Sequence, residues 1–250
     1  MRLKIISCEV LFREISLLAA RSPNQVDIEF LPKGLHDMRS PRMQERLQQT
    51  LDRVDAARYD AIAFGYALCG NGIVGLAARS IPVILPRAHD CITLFLGARQ
   101  RYADYFLDNP GVYFKTTGWI ERGAGGSQQL FGDSPEMDAL VEKYGEDNAR
   151  YLFEQLHAYK KTYRQFTFIE MGVEADGRFE QSVREDAKAR GWQFEKLQGD
   201  LSLLRKLVNG DWDDDFLIVP PRWRVTATHD DRIIACEPDA AKADGPCPEP

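Results

Sequence analysis

Three cysteines stand at the ends of apolar, β-branched runs: Cys8 in KIISCEV, Cys69 in FGYALCGNG and Cys91 in RAHDCITLF. Thiolates are nucleophiles and soft ligands, suited to Zn²⁺ and iron-sulfur clusters, and imidazole commonly completes such a donor set. Intervals of 61 and 22 residues separate the three, so no CxxC chelate loop exists and only the fold could bring them together. A parallel sheet can do this, because neighbouring strand ends lie about 4.8 Å apart and the ligand crevice borders their carboxyl ends. A lone cysteine is more often a small buried hydrophobe. Burial explains each thiol separately, however, and not their common placement.

Four histidines are available as nitrogen donors. His36 follows the second strand in LPKGLHDM, and His89 lies two residues before Cys91, so both can reach the same edge. His157 falls in an amphipathic helical stretch and His229 in the C-terminal region, where packing or surface roles are the simpler account. The expected ligand set is Cys8, Cys69 and Cys91 with His36 as fourth, or with that position open to water or substrate. His89 is the acid-base candidate beside it. Zinc, acting as a Lewis acid, is the favoured cofactor; an iron-sulfur cluster with one iron open to substrate is the alternative.

A second signal overlaps the first. Gly70, Asn71, Gly72, Ile73, Val74 and Gly75 spell GxGxxG after a strand, with Asp90 twenty residues beyond Gly70. In a dinucleotide fingerprint such glycines admit the backbone to pyrophosphate at a helix amino terminus. Glycines serving only a tight turn, or amides binding a small substrate's carboxylate or phosphate, fit the same residues. Arg87 could hold a small anionic molecule bidentately. Glu170, closing FTFIEMG, could enter a cleft as base or substrate contact, with a surface role as the plain alternative.

These residues need elements to position them. KIISC, VDIEFLP, DAIAFGYAL and IPVILPRA read as strands; the last two are continuously apolar, as strands buried on both faces of a parallel sheet are. Between them FREISLLAARS, PRMQERLQQTLDRVDAARY and GNGIVGLAARS read as helices, the second opened by Ser40 and Pro41. Thr93 to Asp108 follows as one helix and VYFKTTGW as a fifth strand. Ile120 to Pro135 is loop-like around RGAGGSQQ, and MDALVEKYGEDNARYLFEQLHAYKKTY is helical with a break near Gly145. FTFIEMG, FEQSVREDAKARG, WQFEKLQG, LSLLRKLVNG and DDFLIVPP then resume the alternation. The expected fold class is α/β, a Rossmann-like doubly wound and mainly parallel sheet in two βαβ lobes. Residues 1–120 would form the first lobe, 121–162 a connection, 163–224 the second lobe, and 225–250 a flexible tail carrying Cys236 and Cys247.

Composition narrows the partners. The chain has 250 residues, 44% hydrophobic and 28% charged, with a net charge of -6. This acidic balance, without a Lys/Arg cluster, argues against nucleic acid and anionic membranes as partners. MRLKIISCEVLF lacks the apolar stretch of a signal peptide and no run of about 18 apolar residues exists, so a cytoplasmic protein is expected. Five irregularly spaced cysteines then suggest ligands or nucleophiles rather than a disulfide framework.

The pattern as a whole resembles the DUF1638 family of uncharacterised bacterial and archaeal proteins. The resemblance rests on Cys8 with the Arg-Glu helix after it, LPKGLH ending at His36, GYALCG around Cys69, HDC ending at Cys91, VYFKTTGW and YRQFTFIEMG. It runs from Lys4 to Pro220. It implies a shared polar set of Cys8, His36, Cys69, His89 and Cys91, and no established activity. The function expected is that of a metal-binding protein acting as a small-molecule enzyme, a reading that extends to one-carbon or methyl-transfer metabolism. A non-catalytic metal or ligand delivery protein, and a nucleotide binder using GNGIVG, are the alternatives.

Overall fold

A computed structural model describes residues 1–37, 40–123, 135–156 and 162–239. The chain divides into two compact units. The first contains Met1–Asp104, Met171–Val173 and the described residues from Gln198; the second contains Tyr105–Glu170 and Glu174–Leu197.

In the first unit, β1 (Arg2–Cys8) is rich in β-branched residues, and nearly every position beyond Arg2 is buried. That suits a central strand. It pairs in parallel with β2 (Gln25–Leu31) on one side and β3 (Ala61–Gly65) on the other. β3 pairs in parallel with β4 (Val83–Pro86), and β4 pairs antiparallel with β8 (Phe216–Val219), giving the order β2-β1-β3-β4-β8. A short 3-10 turn (Glu9–Leu11) leads from β1 into α1 (Phe12–Ala19), and a second (Lys33–Asp37) leads from β2 towards α2 (Ser40–Asp52). Leu3, Ile5, Leu47, Phe64, Ile84 and Phe95 are among the residues that fill the core.

Thr93 to Asp108 is two helices, not one. Gly97, left-handed at φ 78°, ends α3 (Cys91–Leu96) with its N–H on the Thr93 carbonyl, and α4 (Arg99–Asp108) begins afterwards. A Cβ at Gly97 would lie 2.7 Å from the Asp200 side chain, so the break also serves packing. The division between units falls inside α4.

The expected helix GNGIVGLAARS is not formed. Residues 69–75 are turns, and Leu76–Ala78 lie against β9 (Trp223–Ala227), exchanging backbone hydrogen bonds with Trp223 and Val225. Cys69, Gly70 and Asn71 have φ of 46°, 64° and 69°. Successive left-handed residues cannot propagate a right-handed helix. The partner responsible belongs to the segment expected as a tail. β9 and β10 (Ile234–Pro238) instead form an antiparallel hairpin with Val225, Ile234 and Cys236 buried. Cys236 is disulfide-bonded, against the expectation of a chain without disulfides.

In the second unit, β5 (Val112–Thr116), expected to continue the first sheet, pairs in parallel with β6 (Gln165–Glu170), and β7 (Gln193–Gln198) completes a three-stranded sheet. DDFLIVPP, expected here, is the β8 of the first sheet. The end of VYFKTTGW is helical: the Thr116 side chain accepts the Trp119 N–H and caps α5 (Thr117–Glu121). α6 (Pro135–Tyr144) and α7 (Glu146–Leu156) are separated at Gly145, φ 76°, as expected. α8 (Arg178–Arg190) sets Val183 and Ala187 against Phe166 and Phe168, and α9 (Ser202–Asn209) buries Leu203, Leu204, Leu207 and Val208 in the first unit. RGAGGSQQ from its third residue on, His157, Cys247 and the end of the tail lie outside the described residues. Among the described residues no helix is long and apolar enough to cross a membrane. The observed class is mixed α/β.

Candidate functional site

Four parallel strands end at one edge of the first sheet, and the chain segments leaving them are tied together. Cys8 is the last residue of β1, in register with Leu31 at the end of β2. Beside it, the Glu9 carboxylate accepts the Lys33 N–H at 2.8 Å, anchoring the turn that carries His36. The loop after β3 runs along the loop after β4: the Leu68 N–H donates to the Ala88 carbonyl and the Cys69 N–H to the His89 carbonyl, both at 2.9 Å. α2 grips the far side of this loop, with the Gln48 amide holding both backbone groups of Ala77. This scaffold fixes Cys69 between the ends of β1 and β4.

The Cys69 thiol feels the charge of Cys8. Burial pushes the Cys8 thiol up to about 11, opposed by a hydrogen bond from the Val10 amide. Burial pushes Cys69 up to about 12, against backbone hydrogen bonds at Ala67 and Cys91 and with the charges of Asp90 and Cys8 adding to the rise. The Cys69 residue is partly exposed, but its sulfur is desolvated. Both are therefore thiols, not thiolates, at neutral pH. Tyr66, which follows β3 directly, is raised well above the usual tyrosine range by burial and then by the charges of Cys8, Cys69 and Glu9.

The other expected residues fare differently. Cys91 is buried as the first residue of α3, free of any disulfide. His36 lies in the turn after β2, and its side chain is outside the described residues. Among the described residues no three His, Cys, Asp or Glu side chains form a group able to hold a metal ion. His89 is exposed, and its carbonyl rather than its ring is what joins the loops. Arg87 donates from Nε to the Phe216 carbonyl and from Nη1 to the carbonyls of Arg232 and Ile234, so it ties β8 and the hairpin to β4. That is a structural task in place of the expected anion contact. Glu170, in the second unit, is ion-paired with Lys196 at 2.7 Å.

The glycines of GNGIVG lack the helix that a dinucleotide fingerprint requires. Gly70 and Gly75 supply left-handed turns, and a Cβ at Gly72 would strike Met43 Sδ at 2.3 Å. Asn71 offers its carbonyl to the Gln44 side chain. Asp90 is spent as the amino-terminal cap of α3, accepting the N–H groups of Ile92 and Thr93, and its other oxygen accepts the Tyr102 hydroxyl. Asp90→Ala is therefore expected to cost about 1–2 kcal/mol in urea unfolding, with Asp90→Asn recovering most of it. Equal stability of all three forms would remove the cap from this account.

Tyr66 is the residue that sequence reasoning passed over, although it lies inside the GYALCG segment. Nothing in its type or spacing signals an unpaired hydroxyl. Searches among characterised proteins and among solved structures gave no match. The chain belongs to the family described as "Protein of unknown function (DUF1638)", whose model matches residues 30–208.

Proposed function

We propose that the carboxyl edge of the first sheet is a small-molecule site in which Cys8, Cys69 and His36 hold a transition metal, zinc favoured, with the fourth position open to water or substrate. An iron-sulfur cluster is the alternative cofactor. The observation that carries this reading is that Cys8, at the end of β1, and Cys69, in the loop tied by backbone hydrogen bonds to the segment after β4, lie at one edge of the sheet with the buried phenol of Tyr66. We also read the first unit as a Rossmann-like, doubly wound layer. The strand order turns back between β1 and β3, and ligands of such sheets lie outside the carboxyl ends at that point, where Cys8 and Tyr66 stand. Bound there, a metal supplies Lewis acidity to a small substrate. Thiols of raised pKa must lose their protons first, so affinity for zinc rises with pH.

The test is metal analysis with an absorption spectrum of anaerobically purified protein. About one zinc per chain is expected, the stoichiometry of a single mononuclear site, and Cys8→Ser and Cys69→Ser should each lose it. A wild type that purifies without metal and takes up none from added zinc or iron, with Cys69→Ser unchanged in stability, sinks the reading. His89 is exposed and Glu170 is committed to Lys196, which favours a second reading as a non-catalytic metal delivery protein. Transfer of the bound ion to a chelator within minutes would select it.

A further inference from the structure

Tyr66 follows β3 directly and is 3% exposed, and among the described residues its hydroxyl has no hydrogen-bond partner. Such a group has given up water and received nothing in return. The ring has no need of the oxygen. It packs beside Phe64, with ring centroids 6.4 Å apart, and a phenylalanine would occupy the same space. Natural chains keep a buried, unpaired donor where binding requires it, at a cost to stability. The Tyr66 neighbourhood is the candidate edge itself: Cys8, Cys69 and Glu9 are the groups whose charges it feels.

We propose that Tyr66 is a ligand-binding residue whose hydroxyl donates a hydrogen bond to the carbonyl oxygen of a small molecule seated at the Cys8 and Cys69 edge. This rests on the reading of that edge as a small-molecule site and names its substrate class. A phenol is both donor and acceptor. Here the hydroxyl is buried without a partner among the described residues, and the Glu9 carboxylate stands at the same edge, anchored on the Lys33 amide. The same carboxylate selects the partner. A bound carboxylate would set a second negative charge near Glu9 and a buried phenol, whereas a carbonyl brings a strong acceptor without charge. The small anionic ligand expected from Arg87 is thereby replaced by a neutral carbonyl compound.

The experiment uses the full chain with Tyr66→Phe, and the zinc content of every sample is measured. Tyr66→Phe is expected to bind as much zinc as wild type and to melt about 2–4 °C higher, because it deletes an unpaired buried hydroxyl. Wild type labelled with 3-fluorotyrosine is then titrated with acetamide and with acetate. The Tyr66 fluorine resonance, assigned by its loss in Tyr66→Phe or, should that variant misfold, in Tyr66→Met, is expected to shift saturably with acetamide and not with acetate. Acetamide should raise the melting temperature of wild type and not of the Phe variant. A lower melting temperature for a folded Tyr66→Phe would mean that the hydroxyl already has a partner such as a trapped water, and would overturn the proposal. So would an unmoved resonance, or one moved equally by acetate. A zinc-free wild type with a saturable acetamide shift removes the metal reading and leaves this one standing; a zinc-loaded wild type without a shift does the reverse.

Discussion

Metal-free protein is expected to lose stability steeply between pH 9 and pH 12 under reducing conditions, and Cys8→Ser/Cys69→Ser should lose much less. Below pH 9 both folded and unfolded chains keep these thiol protons, so the contribution is fully present. Above pH 9 the unfolded thiols ionise, while folded Cys8 holds its proton to about 11 and Cys69 to about 12. The folded state then binds more protons than the unfolded state, and stability falls as pH rises through this window. A two-unit rise corresponds to roughly 3 kcal/mol for Cys8, with Cys69 of similar size. The two are coupled, so the sum is not simply additive. The loss is still a large share of the total stability of a domain. Urea unfolding at pH 8, 9, 10 and 11 measures it. Parallel pH profiles for wild type and the double serine variant would show that these thiols are not buried as described.

Gly65→Ala should be the most damaging single methyl added at the candidate edge. Gly65 is in register with Ser7 on β1, and the Ser7 hydroxyl is buried against the Cys8 and Gly65 carbonyls. A Cβ at position 65 would lie 2.2 Å from Ser7 Oγ, 2.7 Å from Ser7 Cβ and 3.3 Å from Ser7 Cα. Rotating Ser7 relieves the first contact, but the second can be relieved only by moving a strand. The expected cost is about 3 kcal/mol, at the upper end for overpacking. Zinc retention should fall as well, because Cys69 follows on the displaced chain. Ser7→Gly removes both clashing atoms, so Gly65→Ala should cost clearly less in that background than in wild type, while Ser7→Ala should help only in part. An identical penalty in all three backgrounds, read from urea midpoints at constant m-value, would refute the close approach.

The comparison of Gly65 with Gly72 shows why one type of residue carries different meanings. Both are glycine because a Cβ would collide. Gly65 meets a neighbouring strand, whereas Gly72 meets the flexible end of Met43. GNGIVG has the spacing of a phosphate-binding turn. Its last part is instead recruited by β9, whose contribution comes from about 150 residues further along the chain. No local pattern can report such pairing, since the backbone groups that capture Leu76 and Ala78 lie outside any window around them. The backbone contacts of Arg87 are hidden for the same reason. Its acceptors are main-chain carbonyls of β8 and of the hairpin, and carbonyls have no signature in sequence.

What the sequence by itself determined was the set of parallel strands and the place of Cys8 at the end of the first; Cys69 lies in the turn beyond β3 and Cys91 opens α3. Continuous apolar runs of β-branched residues are local, strong signals, and KIISC, VDIEFLP, DAIAFGYAL and IPVILPRA became β1 to β4, with β3 stopping at Gly65 and β4 at Pro86. Tertiary structure alone decided how those ends meet. It set the loop bearing Cys69 along the loop bearing His89 by two backbone hydrogen bonds, raised both Cys8 and Cys69 by desolvation, and left the Tyr66 hydroxyl buried without a partner among the described residues. The physical reason is that strand propensity is a property of neighbouring residues, whereas burial, electrostatic coupling and hydrogen-bond satisfaction belong to groups brought together from distant parts of the chain.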